Sequence, residues 1–280
     1  MTDTGVGCTG ATAWRLLMDG AADGAWNMAA DEAMLAEHAQ GRIPPTLRFY
    51  SWRPAAISLG YFQRAEREID LNACASRKID VIRRLTGGRA VLHDAEVTYS
   101  LVVKESDPYI PEGITASYLF FSRGIAAGLA RLGVSACLQE PRLSQGTPHS
   151  AACFDAPSHY ELTVGGRKLV GSAQLRRDGI LLQHGSVLLA FHPEELTELF
   201  LIAARERRDK ITAELSRHAT SLDEATGKCF GFAEVATALA GGIAEKCGLA
   251  LRPAARTARE SVLIENFQQK YRSPEWTLRC

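Results

Sequence analysis

The chain has 280 residues, with 32 Lys and Arg against 32 Asp and Glu, a formal net charge of +0, and 46% hydrophobic and 23% charged residues. The balanced charge excludes a whole-molecule field that would gather nucleic acid or an anionic membrane, and the apolar content excludes a disordered chain. The length provides for a sizeable core, and residues 1–280 are read as one domain.

Asn27 is placed to cap a helix reaching Gln40, with Met28, Met34 and Leu35 as its apolar residues and Gly41 as its stop. Thr46 to Trp52 and Ala56 to Tyr61 read as strands parted by Arg53-Pro54, and Asp80 to Leu85 as another. Glu96 to Lys104 alternates, placing Val97, Tyr99, Leu101 and Val103 on one face. Ser117 to Leu132 has helical spacing and stops at Gly133. Tyr160 to Val164, Gly165-Gly166 and Arg167 to Gln174 predict a hairpin, and Asp178-Gly179 turns the chain into Ile180 to Leu189. Pro193 suits a first helical turn, Ser221 with Glu224 suits a capping box, and Phe232 to Cys247 and Glu260 to Tyr271 are the last helices. Strands crowd the first two thirds without a regular βαβ alternation. The fold class is therefore α+β, a mixed sheet with flanking helices.

The seven cysteines lack the close paired spacing of a zinc site. No basic-then-apolar leader opens the chain, and no run approaches the roughly 18 apolar residues of a membrane span. These features point to a cytoplasmic protein without metal or cofactor, in which most cysteines fill space and one can be reactive.

Three segments can carry chemistry. In Arg83-Arg84-Leu85-Thr86-Gly87-Gly88-Arg89, the adjacent glycines permit close approach of backbone to a ligand, and the arginines suit an anion; equally, the pair is a turn and the arginines are solvated. Residues Ser150 to Ser158 form a small-residue loop that carries Cys153. Lys168 opens a strand that continues Leu169-Val170-Gly171-Ser172. It is either a solvated strand end or a cation at the floor of a site, with Gly171 and Ser172 leaving room for substrate. His93 follows the first segment, and His184, in a later strand, is a candidate base or a hydrogen-bonded structural residue.

Together these segments resemble the lipoate-protein ligase and octanoyltransferase superfamily, which shares its catalytic fold with biotin protein ligases. The resemblance begins at Asn27-Met28-Ala29-Ala30-Asp31-Glu32 and runs through the Arg-Arg-x-Thr-Gly-Gly-Arg segment to Glu275-Trp276. The block Cys153-Phe154-Asp155-Ala156-Pro157-Ser158 is most similar to the cysteine-dependent octanoyltransferases of the LipM type, and the Arg-Asn-Asp element of ATP-dependent ligases is not found there. The resemblance implies Cys153 as nucleophile and Lys168 as essential cation. It implies substrate binding by Arg84, Thr86, Gly87, Gly88, His93, Gly171, Ser172 and His184, with Leu85, Val91, Leu169 and Val170 lining an acyl slot.

The implied reaction moves octanoyl from acyl carrier protein to a lysine of glycine cleavage H protein or an E2 lipoyl domain. The implied enzyme is a monomer that engages neither nucleic acid nor membrane. Both partners are acidic, so a local basic patch is needed; Arg205, Arg207, Arg208 and Lys210 form one candidate, or simply a solvated helix face. The alternatives are an amidotransferase between H protein and E2 domains, an ATP-dependent lipoate ligase, and a non-catalytic acyl-binding protein.

Overall fold

The structure is a computed structural model and describes residues 13–139 and 161–279. Strand β1 (Ala13–Ala22) leads into helix α1 (Gly24–Ala39). Strands β2 (Thr46–Trp52) and β3 (Ala56–Leu59) precede two short helices, α2 (Ala65–Glu68) and α3 (Leu71–Ser76). Then come β4 (Asp80–Arg83), β5 (Val91–His93), β6 (Glu96–Lys104), α4 (Ile114–Arg131) and β7 (Cys137–Gln139). Next are β8 (Glu161–Val164), β9 (Arg167–Arg177) and β10 (Ile180–Leu188). The chain continues through α5 (Pro193–Thr197), α6 (Arg205–His218), α7 (Leu222–Thr226), α8 (Phe232–Cys247), β11 (Ala250–Pro253), α9 (Ala258–Arg272) and α10 (Pro274–Thr277).

Eight strands pair in the order β11-β1-β2-β6-β10-β9-β8-β7, and β4-β3-β5 form a second sheet. The large sheet is mixed, because β1 runs parallel to both β2 and β11 while the remaining pairs are antiparallel. Alternation along β6 decides the two faces. Val97, Tyr99, Leu101 and Val103 pack with Phe121, Ile125 and Leu129 of α4 and with Val235, Leu239 and Ile243 of α8. Val102, facing the other way, joins Met34 of α1 and Ile264 of α9. The helices α4 and α8 approach through glycine, since a Cβ on Gly242 would stand 2.0 Å from the Gly128 nitrogen. The small sheet packs with α5 and α6 through Ile57, Leu59, Leu196, Ile211 and Leu215.

The hairpins form as their turns dictate: Gly165 and Gly166 both have positive φ, as do Asp178 and Gly179. Other expectations need correcting. Helix α1 starts earlier than Asn27, with Asp23 as its cap accepting from the Trp26 amide at 2.7 Å. Ser221 makes no cap bond; its hydroxyl donates to Asp223, while Glu224 accepts from Thr220 and Arg167. The capping box falls at Thr257 and Glu260. No helix among the described residues is long and apolar enough to cross a membrane.

Candidate active site

The Arg84–Arg89 loop leaves β4 and returns as β5, with the small sheet at its back. It sits directly on the Gly60 turn: a Cβ on Gly60 would be 1.9 Å from the Gly88 carbonyl oxygen, and the Tyr61 amide donates to Thr86 O at 2.9 Å. Only glycine allows that contact. Gly88 has φ +94 and is exposed, and among the described residues no atom beyond Gly87 and its chain neighbours lies within 4 Å of a Cβ placed on Gly87.

Arg84 holds the loop from within. Its Nε donates to Thr86 Oγ1 at 3.2 Å, Nη1 to Ser58 O at 2.8 Å, and Nη2 to the Gly87 and Arg89 carbonyls at 2.9 and 2.8 Å. Satisfying otherwise orphaned carbonyls is what lets so tight a loop sit in a protein interior. The chain of bonds continues from Thr86 Oγ1 to His184 Nε2 at 2.6 Å, and from His184 Nδ1 to Asp31 Oδ2 at 3.5 Å.

Asp31 is the hub of this network. It also accepts from Ser100 at 2.7 Å, from Tyr50 at 3.1 Å and from Arg48 at 2.7 Å. Arg48 is fully buried in mid-strand, holds Asp19 at 2.6 Å and stacks 3.7 Å from the Tyr50 ring centroid. Burial alone would raise the Asp31 carboxyl, but the Arg48 charge and His184 outweigh it and hold Asp31 below the usual carboxylate range. An ionised Asp31 only accepts, so the neutral His184 ring carries its proton on Nδ1, and its Nε2 accepts a hydrogen bond from the Thr86 hydroxyl. Burial exceeds the opposing pull of Asp31 and lowers the His184 pKa.

This depression has a consequence for stability. The unfolded chain binds protons near pH 6.5 that folded His184 refuses, so stability is full above that pH and falls as pH drops below it. His38, lowered mainly by burial, adds in the same direction. Each group contributes at most about 1.4 kcal/mol per pH unit. Urea unfolding from pH 8 to 5.5 is expected to show this loss, and His184→Gln to flatten the slope while lowering stability at pH 8. An unchanged slope in the variant would show that His184 carries no such linkage.

His93 is likewise committed to the interior. It stacks on Trp52 with centroids 4.1 Å apart, and its nitrogens meet Ser58 Oγ at 2.7 Å and Glu96 Oε1 at 2.8 Å. Ser172 points toward Tyr99, with hydroxyls 2.8 Å apart, beside Gly185, where a Cβ would meet Ser172 Oγ at 2.5 Å. Gly171 is half-buried opposite Ser186. Leu169 and Val170 belong to the buried cluster that includes residues of α4 and α8, Leu85 belongs to the cluster that includes residues of α1, and Val91 is half-buried at the small sheet.

Lys168 is 3% exposed, and its Nζ donates to Glu161 Oε1 at 2.5 Å. It is therefore not a solvated strand end. Its backbone is tied as well, with Lys168 O accepting from the Thr220 amide at 2.9 Å. Glu161 comes eight residues after Cys153 in the chain, but Cys153 and the rest of its loop lie outside the described residues, as do Cys8 and Cys280. Among the described cysteines, Cys74 and Cys247 are buried, and burial pushes their thiols up to about 11 and about 12. Cys137 and Cys229 are exposed.

The structure thus joins Arg84, Thr86 and His184 in one bonded chain that also reaches His93 through Ser58 Oγ, while Ser172 turns to Tyr99. The sequence reading missed Asp31, Arg48 and Glu161. Charged residues inside otherwise buried runs, Asp31 in the first helix and Arg48 in Thr46–Trp52, were the available signal. The lipoyl protein ligase A/B catalytic domain family matches residues 23–244. Octanoyltransferase LipM of Kyrpidia tusciae is 46% identical, over 95% of this chain and 98% of its own. The chain belongs to this family. Octanoyltransferase LipM of Moorella thermoacetica, also similar, is 43% identical over 96% of this chain and 99% of its own. Among solved family structures, the bipartite lipoate protein ligase of Thermoplasma acidophilum superposes with a TM-score of 0.79 at 26% identity, over 95% of this chain and 96% of its own. A lipoate-protein ligase A bound with ATP gives 0.75 at 25% identity, over 96% and 99%. Family membership makes this chain an acyl-transferring enzyme.

Proposed function

We propose that this octanoyltransferase takes octanoyl from the thioester of acyl carrier protein onto Cys153, and passes it to a lysine of glycine cleavage H protein or an E2 lipoyl domain. The observation that carries this reading is the full-length identity to relatives named octanoyltransferase LipM. The Thermoplasma ligase is described with its E2 lipoyl domain, in line with such an acceptor.

The Cys153 thiolate attacks the donor carbonyl; the C–S bond to pantetheine breaks, and the departing thiolate takes up a proton. The acceptor's lysine amine then attacks the enzyme thioester, losing a proton as Cys153 leaves as thiolate. The first exchange is between thioesters and nearly isoenergetic, and the amide product draws the second forward, so no nucleotide is consumed. A buried Lys168 ammonium stabilises thiolate and oxyanion in a site with little competing water. The Gly87–Gly88 backbone, exposed at Gly88, provides the edge along which the acyl carbonyl lies.

The donor distinguishes the possible reactions. Octanoyl carrier protein is expected to support transfer without ATP, and octanoyl H protein and free octanoate with ATP to support little. Because a family member binds ATP on this fold, the last arm is a real competitor. Transfer that requires ATP and persists without Cys153 would establish a ligase instead; preference for octanoyl H protein would establish the amidotransferase.

A further inference from the structure

The candidate basic patch on α6 is a solvated helix face of mixed charge. Arg205, Arg207 and Lys210 project into solvent beside Glu206 and Asp209, and Arg208 turns back to the Ile202 carbonyl. Positive charge gathers elsewhere. Where the Gly60–Gln63 turn leaves the glycine loop, Arg64, Arg67 and Arg279 line a hollow of about 130 Å³, with Glu66 as the carboxylate in its wall. Among the described residues none of these three guanidiniums is ion-paired. Arg279 is braced across the Tyr61 and Trp276 rings at 3.8 and 4.0 Å.

Beneath them lies a fourth guanidinium. Arg83 is fully buried and donates to the carbonyls of Gly60, Gln63 and Thr277 at 2.8, 2.7 and 2.9 Å, which binds the turn to the C-terminal tail. Burial and then the charge of Arg279 depress its pKa, against the opposing pull of Glu68. Like charges gathered on so rigid a frame repel one another, and an arriving anion relieves that repulsion. Planar forks lining one small space suit a tetrahedral oxyanion bound through paired N–H groups.

We infer that this hollow binds the phosphodiester of the donor's phosphopantetheine arm while the thioester reaches the glycine loop. The inference rests on the octanoyl-transfer reading above. Reach agrees with it: Gly60 touches Gly88, and Arg64 lies four residue steps beyond Gly60, at most about 14 Å of extended chain. That is of the same order as the span from thioester sulfur to phosphate in the pantetheine arm. Phe62, 86% exposed on the intervening turn, gives the arm an apolar surface to lie on.

The test compares wild type with Arg64→Gln/Arg67→Gln on three donors: octanoyl-phosphopantetheine, octanoyl-pantetheine without phosphate, and octanoyl carrier protein. Both replaced side chains are exposed, and circular dichroism checks the fold. The double variant is expected to lose about tenfold to a hundredfold in kcat/KM on both phosphorylated donors, mainly through KM. Octanoyl-pantetheine is expected to be transferred equally slowly by both proteins. Equal loss on all donors, or no loss, overturns the proposal. Loss confined to the carrier protein also overturns it, assigning the arginines to the carrier's surface. If wild type transfers from none of the three, it is the octanoyl-transfer reading that fails.

Discussion

Replacing Cys153 with alanine is expected to reduce octanoyl transfer by at least about a thousandfold, the scale seen when a catalytic nucleophile is removed. Wild-type enzyme incubated with octanoyl carrier protein should gain one octanoyl mass, mapping to Cys153 by peptide analysis. The competing thiols set the controls. Cys74 and Cys247, with thiols raised to about 11 and about 12, are almost wholly protonated at pH 7 and should stay unmodified. Cys137 and Cys229 are exposed, so peptide mapping must separate adventitious acylation there from the catalytic adduct. Undiminished transfer by Cys153→Ala, or an adduct confined to Cys137 or Cys229, would remove Cys153 from the mechanism.

The second large effect is expected at Lys168. A cation donating to a developing oxyanion contributes about 10² to 10³ in rate, so Lys168→Ala should slow acyl-enzyme formation by that factor. Its buried pairing with Glu161 complicates a single substitution, since removing one member leaves an uncompensated charge and costs about 3–5 kcal/mol. The double variant Lys168→Met/Glu161→Gln removes both charges while keeping volume, and should hold the fold while remaining as slow as the single variant. Acyl-enzyme formation at the wild-type rate in the double variant would show that Lys168 and Glu161 form a structural pair only.

What was legible in the chain follows from short-range physics. The bounds Thr46–Trp52, Glu96–Lys104 and Phe232–Cys247 agree between sequence pattern and structure because period and burial agree along each segment. Both hairpins were marked by residues that accept positive φ. β1 and β11 were not legible: they pair in parallel across more than two hundred residues, with Ala13 opposite Ala250, and a short run carries no sign of a distant partner. Thr86 and His184 are 98 residues apart in the chain and 2.6 Å apart in space.

The sequence by itself determined the α+β class, the segments that carry chemistry and the family, because periodicity, turn residues and motif order are local properties of the chain. Only the tertiary structure decided what the charged residues do. Arg84, His93 and His184 have the residue types of ligand-binding groups, but a group's role is set by which donors and acceptors surround it. Here buried carbonyls, Asp31 and Glu96 are among their partners. The same packing brings Arg279 of the C-terminal tail to one hollow with Arg64 and Arg67, and among the described residues none of the three is ion-paired.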